Sequence, residues 1–188
     1  MIYVREYRGY MDPLGRALRA LDQLVLKPLE DIANSAEGIL EAISEQLGVP
    51  KPKVAAVAVP LDECGGQADG PCRGIAGVYE PGVVRINYRS TLPSLLHLFA
   101  HHLQAVEMGE RFVHARRLEA ERLPWELRPL EIAAAVRSAQ LARRAPPRAL
   151  RVWEEEIKPK IRELDDNLAR LKADVEQIYR YAEVYARR

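Results

Sequence analysis

His97 and His101 stand at i and i+4 in the run Leu95-Leu96-His97-Leu98-Phe99-Ala100-His101-His102-Leu103-Gln104. On a helix this spacing stacks two imidazoles on one face, one turn apart, as two ligands of one tetrahedral metal ion require. Further along, Arg128-Pro129-Leu130-Glu131-Ile132-Ala133-Ala134 offers a carboxylate near the start of a second expected helix. Each part also has an ordinary reading. Paired histidines occur on packed or exposed helix faces, and a glutamate in a first helical turn complements the helix dipole.

The imidazoles share a face only if the run is helical and held in place. Ser90 and Thr91 are N-cap candidates, Pro93 suits the first turn, and Gly109 suits the end. Upstream, Lys53 to Val59 is a β-branched run stopped by Pro60, hence a strand. Gly74 to Tyr79 and Val83 to Tyr88 flank Pro81-Gly82 and read as a hairpin. The charged stretch from Phe112 to Leu123 fits helix or loop. Leu123-Pro124 to Pro129 opens another helix, with Ile132, Val136 and Leu141 as its apolar positions.

The two ends are helical by periodicity. Asp12-Pro13 opens a helix in which Leu14, Leu18, Leu21 and Val25 recur. Pro28 interrupts it, and Leu29, Ile32, Ala36, Ile39, Ile43 and Leu47 continue the pattern, giving a helical hairpin or one kinked helix. After Ala145-Pro146-Pro147, residues Ile157, Ile161, Leu164, Leu168, Leu171, Val175, Ile178, Ala182 and Tyr185 recur in steps of four and three, a coiled-coil seam. It can pair with the first helices or with a second copy, and a seam so narrow favours the homo-oligomer. The expected fold class is α+β: mostly helical, with a small antiparallel sheet packed on the histidine helix and a long C-terminal helix. Residues 1–50 form an N-terminal helical segment, 51–145 the core and 150–188 the terminal helix.

Strand, hairpin, helix with paired histidines, then helix with an early glutamate: this order resembles the short gluzincin-like members of the zincin metallopeptidases, the H-E-x-x-H class. A typical motif helix there reads Leu-His-Glu-Leu-Ala-His-His-Leu, and a later helix supplies a third ligand from Pro-x-Glu-x-x-Ala. The corresponding stretches are Leu96 to Leu103 and Pro129 to Ala134, while Val83 to Tyr88 corresponds to the family's substrate-binding edge strand. The resemblance covers roughly residues 74–142. It implies His97, His101 and Glu131 as ligands of a zinc cofactor, and a polypeptide as substrate or partner.

One residue departs from the pattern. Leu98 stands where the family has its glutamate base, and leucine has no lone pair with which to take a proton. General acid–base help is worth about 10²–10⁴ in rate. The substitutes are weak: His102 turns partly off the metal face, His114 is a candidate fourth ligand, and Tyr79 and Tyr88 are candidate oxyanion donors but poor bases at neutral pH. Two functions remain open. One is a zinc peptidase with a displaced base. The other is a non-catalytic zincin scaffold, with or without zinc, that binds a polypeptide along its edge strand and assembles through its last helix; Leu98 favours it.

Across 188 residues, 48% hydrophobic and 29% charged, the composition is that of an ordinary globular protein. A net charge of +1 argues against nucleic acid as a partner, and no apolar run reaches membrane-spanning length. The opening Met1-Ile-Tyr-Val-Arg-Glu carries charge where a secretory signal has its apolar stretch, so a cytoplasmic protein is expected. Arginine far exceeds lysine, and thermolabile residues are few, which fits a thermophile or a GC-rich genome. Cys64 and Cys72 bracket a loop of seven residues; they either close it as a disulfide or remain two inert thiols.

Overall fold

Two prolines shape the helical frame. The protein is represented by a computed structural model that describes residues 18–58 and 77–186. From residue 18 the chain is helical to Leu47, with a π-helical turn at Asp22–Leu26 feeding α1 (Lys27–Leu47). Pro28, just inside α1, has no N–H for the carbonyl of Leu24, four residues back, and its ring crowds that carbonyl. The widened turn relieves the crowding. Asn167 Nδ2 donates to the Leu24 carbonyl at 3.0 Å. One kinked helix is therefore the outcome, not a hairpin. The same device recurs near the other end. There α5 (Pro147–Val152) passes through a π turn at Trp153–Ile157 into α6 (Lys158–Ala186), with Pro159 next after the first α6 residue.

The three strands are β1 (Lys53–Val57), β2 (Gly77–Glu80) and β3 (Val83–Asn87). Pro81 followed by Gly82 at φ 82° is the residue order of a type II turn and joins β2 to β3 as an antiparallel hairpin. β1 joins the other side of β3 in parallel, pairing Lys53 with Val83 and Val57 with Asn87. Two expectations change. The sheet is mixed rather than antiparallel. And β3 is its central strand, in the order β1-β3-β2, so Val83 to Tyr88 cannot serve as a substrate-binding edge: both of its sides are already paired. The outer strands also have side chains on their backbones. The Val54 N–H donates to Glu37 of α1 at 3.2 Å, and the Tyr79 carbonyl accepts from Arg116 at 2.6 Å.

The histidine helix α2 (Leu92–Met108) begins as read: Thr91 Oγ1 accepts from the Ser94 N–H at 3.3 Å, and Gly109 at φ 60° ends it. The charged stretch after it is helix α3 (Arg111–Arg122). A short 3₁₀ turn, Trp125–Leu127, leads into α4 (Pro129–Arg144). The buried face of α4 carries Glu131, Ala134 and Leu141, whereas Ile132 and Val136 are about half exposed. Packing chose the small residue over the branched ones: fully buried Ala134 lets α4 lie close on α2, which brings Glu131 within reach of the histidines.

One buried cluster draws on the described residues from near both ends to the middle, including Ile39, Ile86, Phe99, Ala134, Trp153 and Leu164. The N- and C-terminal segments thus share the core of the middle segment. The first half of the terminal seam, Ile157 to Leu171, packs on the chain's own core, with Ile157 and Leu164 fully buried. Polar clips bind α6 to α1: Lys160 to Asp31 at 2.9 Å and, through the preceding π turn, Ser35 to Glu156 at 3.0 Å. Beyond Leu171 the described side chains are exposed, with Val175 at 48% and Tyr179 at 68%. The side chains of Ile178, Ala182 and Tyr185, the Asp12-Pro13 helix start and the Cys64–Cys72 loop lie outside the described residues. No described helix is long and apolar enough to cross a membrane.

Asn167→Leu should cost about 1–3 kcal/mol by leaving the Leu24 carbonyl without its donor. Pro28→Ala restores a helical N–H to that carbonyl, so a double-mutant cycle read by urea denaturation should show positive coupling; additive effects would refute the role given to Asn167. Ending the chain after Leu171 should keep stability within about 1 kcal/mol of the full chain, since the described side chains beyond it, Val175 and Tyr179 among them, are exposed. Ending it after Pro159 removes Leu164 and Asn167 and should abolish the cooperative thermal transition.

Candidate metal centre

The site lies where α2 faces the first turn of α4. On α2, His97 and His101 stack as their spacing requires, with ring centroids 4.8 Å apart and planes at 89°. A single carboxylate oxygen, Glu131 Oε2, stands 3.1 Å from Nε2 of His97 and 3.1 Å from Nε2 of His101. All three ligand atoms lie within 4.8 Å of one another, and among the described residues this is the one such histidine, cysteine and carboxylate group. The side chains of His101 and Glu131 are 1% and 5% exposed, while His97 is 26% exposed. The group is therefore closed on the protein side and open past His97.

The geometry suits an ion. Ligand atoms bound at about 2.0–2.1 Å on a tetrahedral centre stand about 3.3–3.4 Å apart. Both histidine–glutamate separations, at 3.1 Å, fall a few tenths short of that. The group spreads to as much as 4.8 Å, wider than one ion allows, so the side chains would have to turn inward for this His/His/Glu group to hold one.

The charge on Glu131 is secured locally. Burial alone pushes its carboxyl up, but hydrogen bonds from His101 and His97, with the charge of His101 and the guanidinium of Arg116 behind them, outweigh burial and hold it at about 2. The helix that carries it is also anchored. Pro129 needs no acceptor at the helix start, and the next free N–H, that of Leu130, donates to both oxygens of Glu119 on α3, at 3.2 and 3.1 Å. Gln104, on the same face of α2 as His101, accepts from His101 Nδ1 at 2.8 Å and donates to the Leu130 carbonyl at 2.9 Å. Sequence reasoning missed Gln104 and Glu119. Gln104 was discoverable as the i+3 neighbour of His101; nothing local marks Glu119.

The remaining candidates lie elsewhere. His102 is buried on the opposite side of α2, its Nε2 donating to the Pro50 carbonyl at 2.7 Å and its Nδ1 3.2 Å from the Tyr79 hydroxyl. That hydroxyl accepts from the Gly82 N–H at 3.0 Å. His102 and Tyr79 therefore tie the hairpin turn and the approach to β1 onto α2, and neither serves the site. Tyr88 donates to Asp165 of α6 at 2.6 Å, so it too is structural. His114 is exposed on α3 and does not join the group.

Leu98 points into the sheet. It is 6% exposed, and a Cβ built on Gly77 would lie 2.5 Å from Leu98 Cδ1 and 2.6 Å from the Arg85 carbonyl oxygen. Glycine at 77 is what lets α2 settle this close to β2.

Compared with known proteins, the chain matches no family model, no curated protein and no solved structure.

A pH test follows from Glu131. A carboxyl held at about 2 in the fold, against an ordinary 4.5, contributes stability that is fully present above pH 4.5 and is lost as pH falls through about 2. In metal-free protein, urea midpoints should fall more steeply between pH 4.5 and 2.5 for wild type than for Glu131→Gln. Parallel profiles would show that the histidine pair does not hold this carboxylate ionised.

Proposed function

We propose that this chain holds a zinc ion through His97, His101 and Glu131 on a zincin-like scaffold and does not use it to cleave peptides. One observation carries the reading: two imidazole nitrogens converge at equal distance on one buried carboxylate oxygen that has no proton of its own to give. Two nitrogens and one oxygen suit borderline-soft ions such as zinc, whereas calcium and magnesium require mostly oxygen ligands. His97 and His101 bind, Glu131 binds and neutralises, and the buried wall formed by His101 excludes water from one side. When bound, the ion supplies Lewis acidity at its remaining open position.

Two findings favour a silent site over a working peptidase. The base position is filled by Leu98, packed on Gly77. The backbone that a substrate strand would pair with is in part engaged, by Arg116 at Tyr79 and by Glu37 at Val54. In this reading the part of α6 around exposed Val175 and Tyr179 is the segment left for a partner helix, either a second copy or another polypeptide.

Protein prepared with zinc present should contain close to one zinc per chain by elemental analysis, and His101→Ala or His97→Ala should lose it while remaining folded by circular dichroism. The loaded wild type should show no chelator-sensitive cleavage of an unfolded protein substrate. Metal-free wild type would end the proposal; chelator-sensitive cleavage would replace it with an active peptidase whose base is still to be found.

A further inference from the structure

Gln104 is 6% exposed and spans the gap between α2 and α4, bonded to His101 on one side and to the Leu130 carbonyl on the other. The chemistry of these partners leaves no freedom in how its amide is turned. A backbone carbonyl only accepts, so the amide nitrogen must face Leu130. The amide oxygen therefore faces His101 Nδ1, and because that oxygen only accepts, Nδ1 carries the hydrogen.

The consequence appears on the other side of the ring. With a hydrogen held on Nδ1, Nε2, 3.1 Å from Glu131 Oε2, is the nitrogen that can exchange its hydrogen for an ion: it donates to Glu131 in the cationic ring and offers a lone pair in the neutral one. In the neutral ring that lone pair faces the carboxylate oxygen, and a cation fits between them. Turning the amide over would reverse this. Its NH₂ would then donate to Nδ1, the ring hydrogen would move to Nε2, and His101 would simply hydrogen-bond Glu131. Such a cluster is closed and has no use for an ion.

We propose that Gln104 is the positioning residue that makes this cluster a metal site: it sets the His101 tautomer whose Nε2 is free for the ion, and through Leu130 it steadies the backbone next to Glu131. The inference rests on the metal-holding reading above and says what enforces it. Outer partners of this kind typically change metal affinity by about 10–100-fold when removed. Among the described residues His97 has no comparable partner, so His101 is the preset ligand and His97, 26% exposed, the adjustable one.

Two variants separate positioning from plain structural support. Gln104→Met keeps the volume and loses both bonds. Gln104→Glu keeps an acceptor for His101 Nδ1 but loses the donor to Leu130. Zinc affinity is read by competition with a chromophoric chelator, stability by urea denaturation of the metal-free proteins, and the His101 tautomer by ¹⁵N NMR of the metal-free proteins. Gln104→Met should bind zinc about 10–100-fold more weakly than wild type. Gln104→Glu should lose stability for want of the Leu130 bond yet bind zinc at least as tightly as wild type. A merely structural residue would give two variants whose affinities fall together with their stabilities. In wild type, His101 Nδ1 should carry hydrogen, and in Gln104→Met this preference should be lost.

A folded Gln104→Met that binds zinc like wild type overturns the proposal, as does a wild-type His101 with a bare Nδ1. If wild type binds no zinc, the metal-holding reading fails. The NMR comparison then decides the role of Gln104 by itself: an Nδ1 hydrogen held in wild type and lost in Gln104→Met upholds it, and any other pattern overturns it.

Discussion

Two imidazole nitrogens and one carboxylate oxygen meet where water is largely excluded, and the rest of the structure is arranged to keep them there. A buried carboxylate is costly unless it is paired or hydrogen-bonded. Glu131 is affordable only because His97 and His101 both face it, which fixes α4 against α2 at the height of one residue. Glu119 and Gln104 secure the same turn of α4 from two further directions. The helix–helix contact and the ligand set are therefore one feature: whatever loosens α4 disperses the donors, and whatever removes a donor loosens α4.

The helical frame around this contact depends on where backbone hydrogen bonds are given up. Each long terminal helix contains a Lys-Pro pair immediately after a π turn, at Lys27-Pro28 and at Lys158-Pro159. A π turn holds more residues than an α turn and so changes which face the next residues present. Across the second one, Ala149, Trp153 and Ile157 stay buried at steps of four. The first frees the Leu24 carbonyl, and Asn167 reaches from α6 to bond it. The two ends of the chain are thus joined by a polar bond that exists because a proline cannot make its own.

Local signals were readable wherever the physics is local. The i, i+4 histidines, the Thr91 cap, the Gly109 stop and the Pro81-Gly82 turn each depend on a few neighbouring residues, and each stands as read. What could not be read depends on long-range pairing or on competition between faces. Nothing in Lys53 to Val57 tells whether it joins β3 in parallel or forms an edge elsewhere, yet that pairing puts β3 at the centre of the sheet. On α4, hydropathy favours Ile132 and Val136 as the inner face; the fold instead buries Glu131 and Ala134. A carboxylate among apolar neighbours looks like an outer residue until its two histidines are in place. His102 shows the reverse. Beside a ligand it reads as an accessory, but its ring is fully engaged by Pro50 and Tyr79 on the other side of the helix.

If the site is zincin-like, as proposed, the packing of Leu98 means that more than one residue separates it from a working peptidase. Position 98 follows His97 by about 100° around α2, and here that direction leads onto β2 at Gly77. The glycine and the leucine are matched: the missing side chain on the strand makes room for the large one on the helix, and Leu98 is buried as a result. A glutamate at 98 in this setting would begin among apolar atoms and a backbone carbonyl, and would have to leave them to meet an ion beside His97. Ionised, it would forfeit hydration; protonated, it would be no base. A leucine at this position and close packing of α2 on the sheet therefore reinforce each other, and on the zincin-like reading proposed above hydrolysis would require opening the helix–sheet contact as well as supplying a carboxylate.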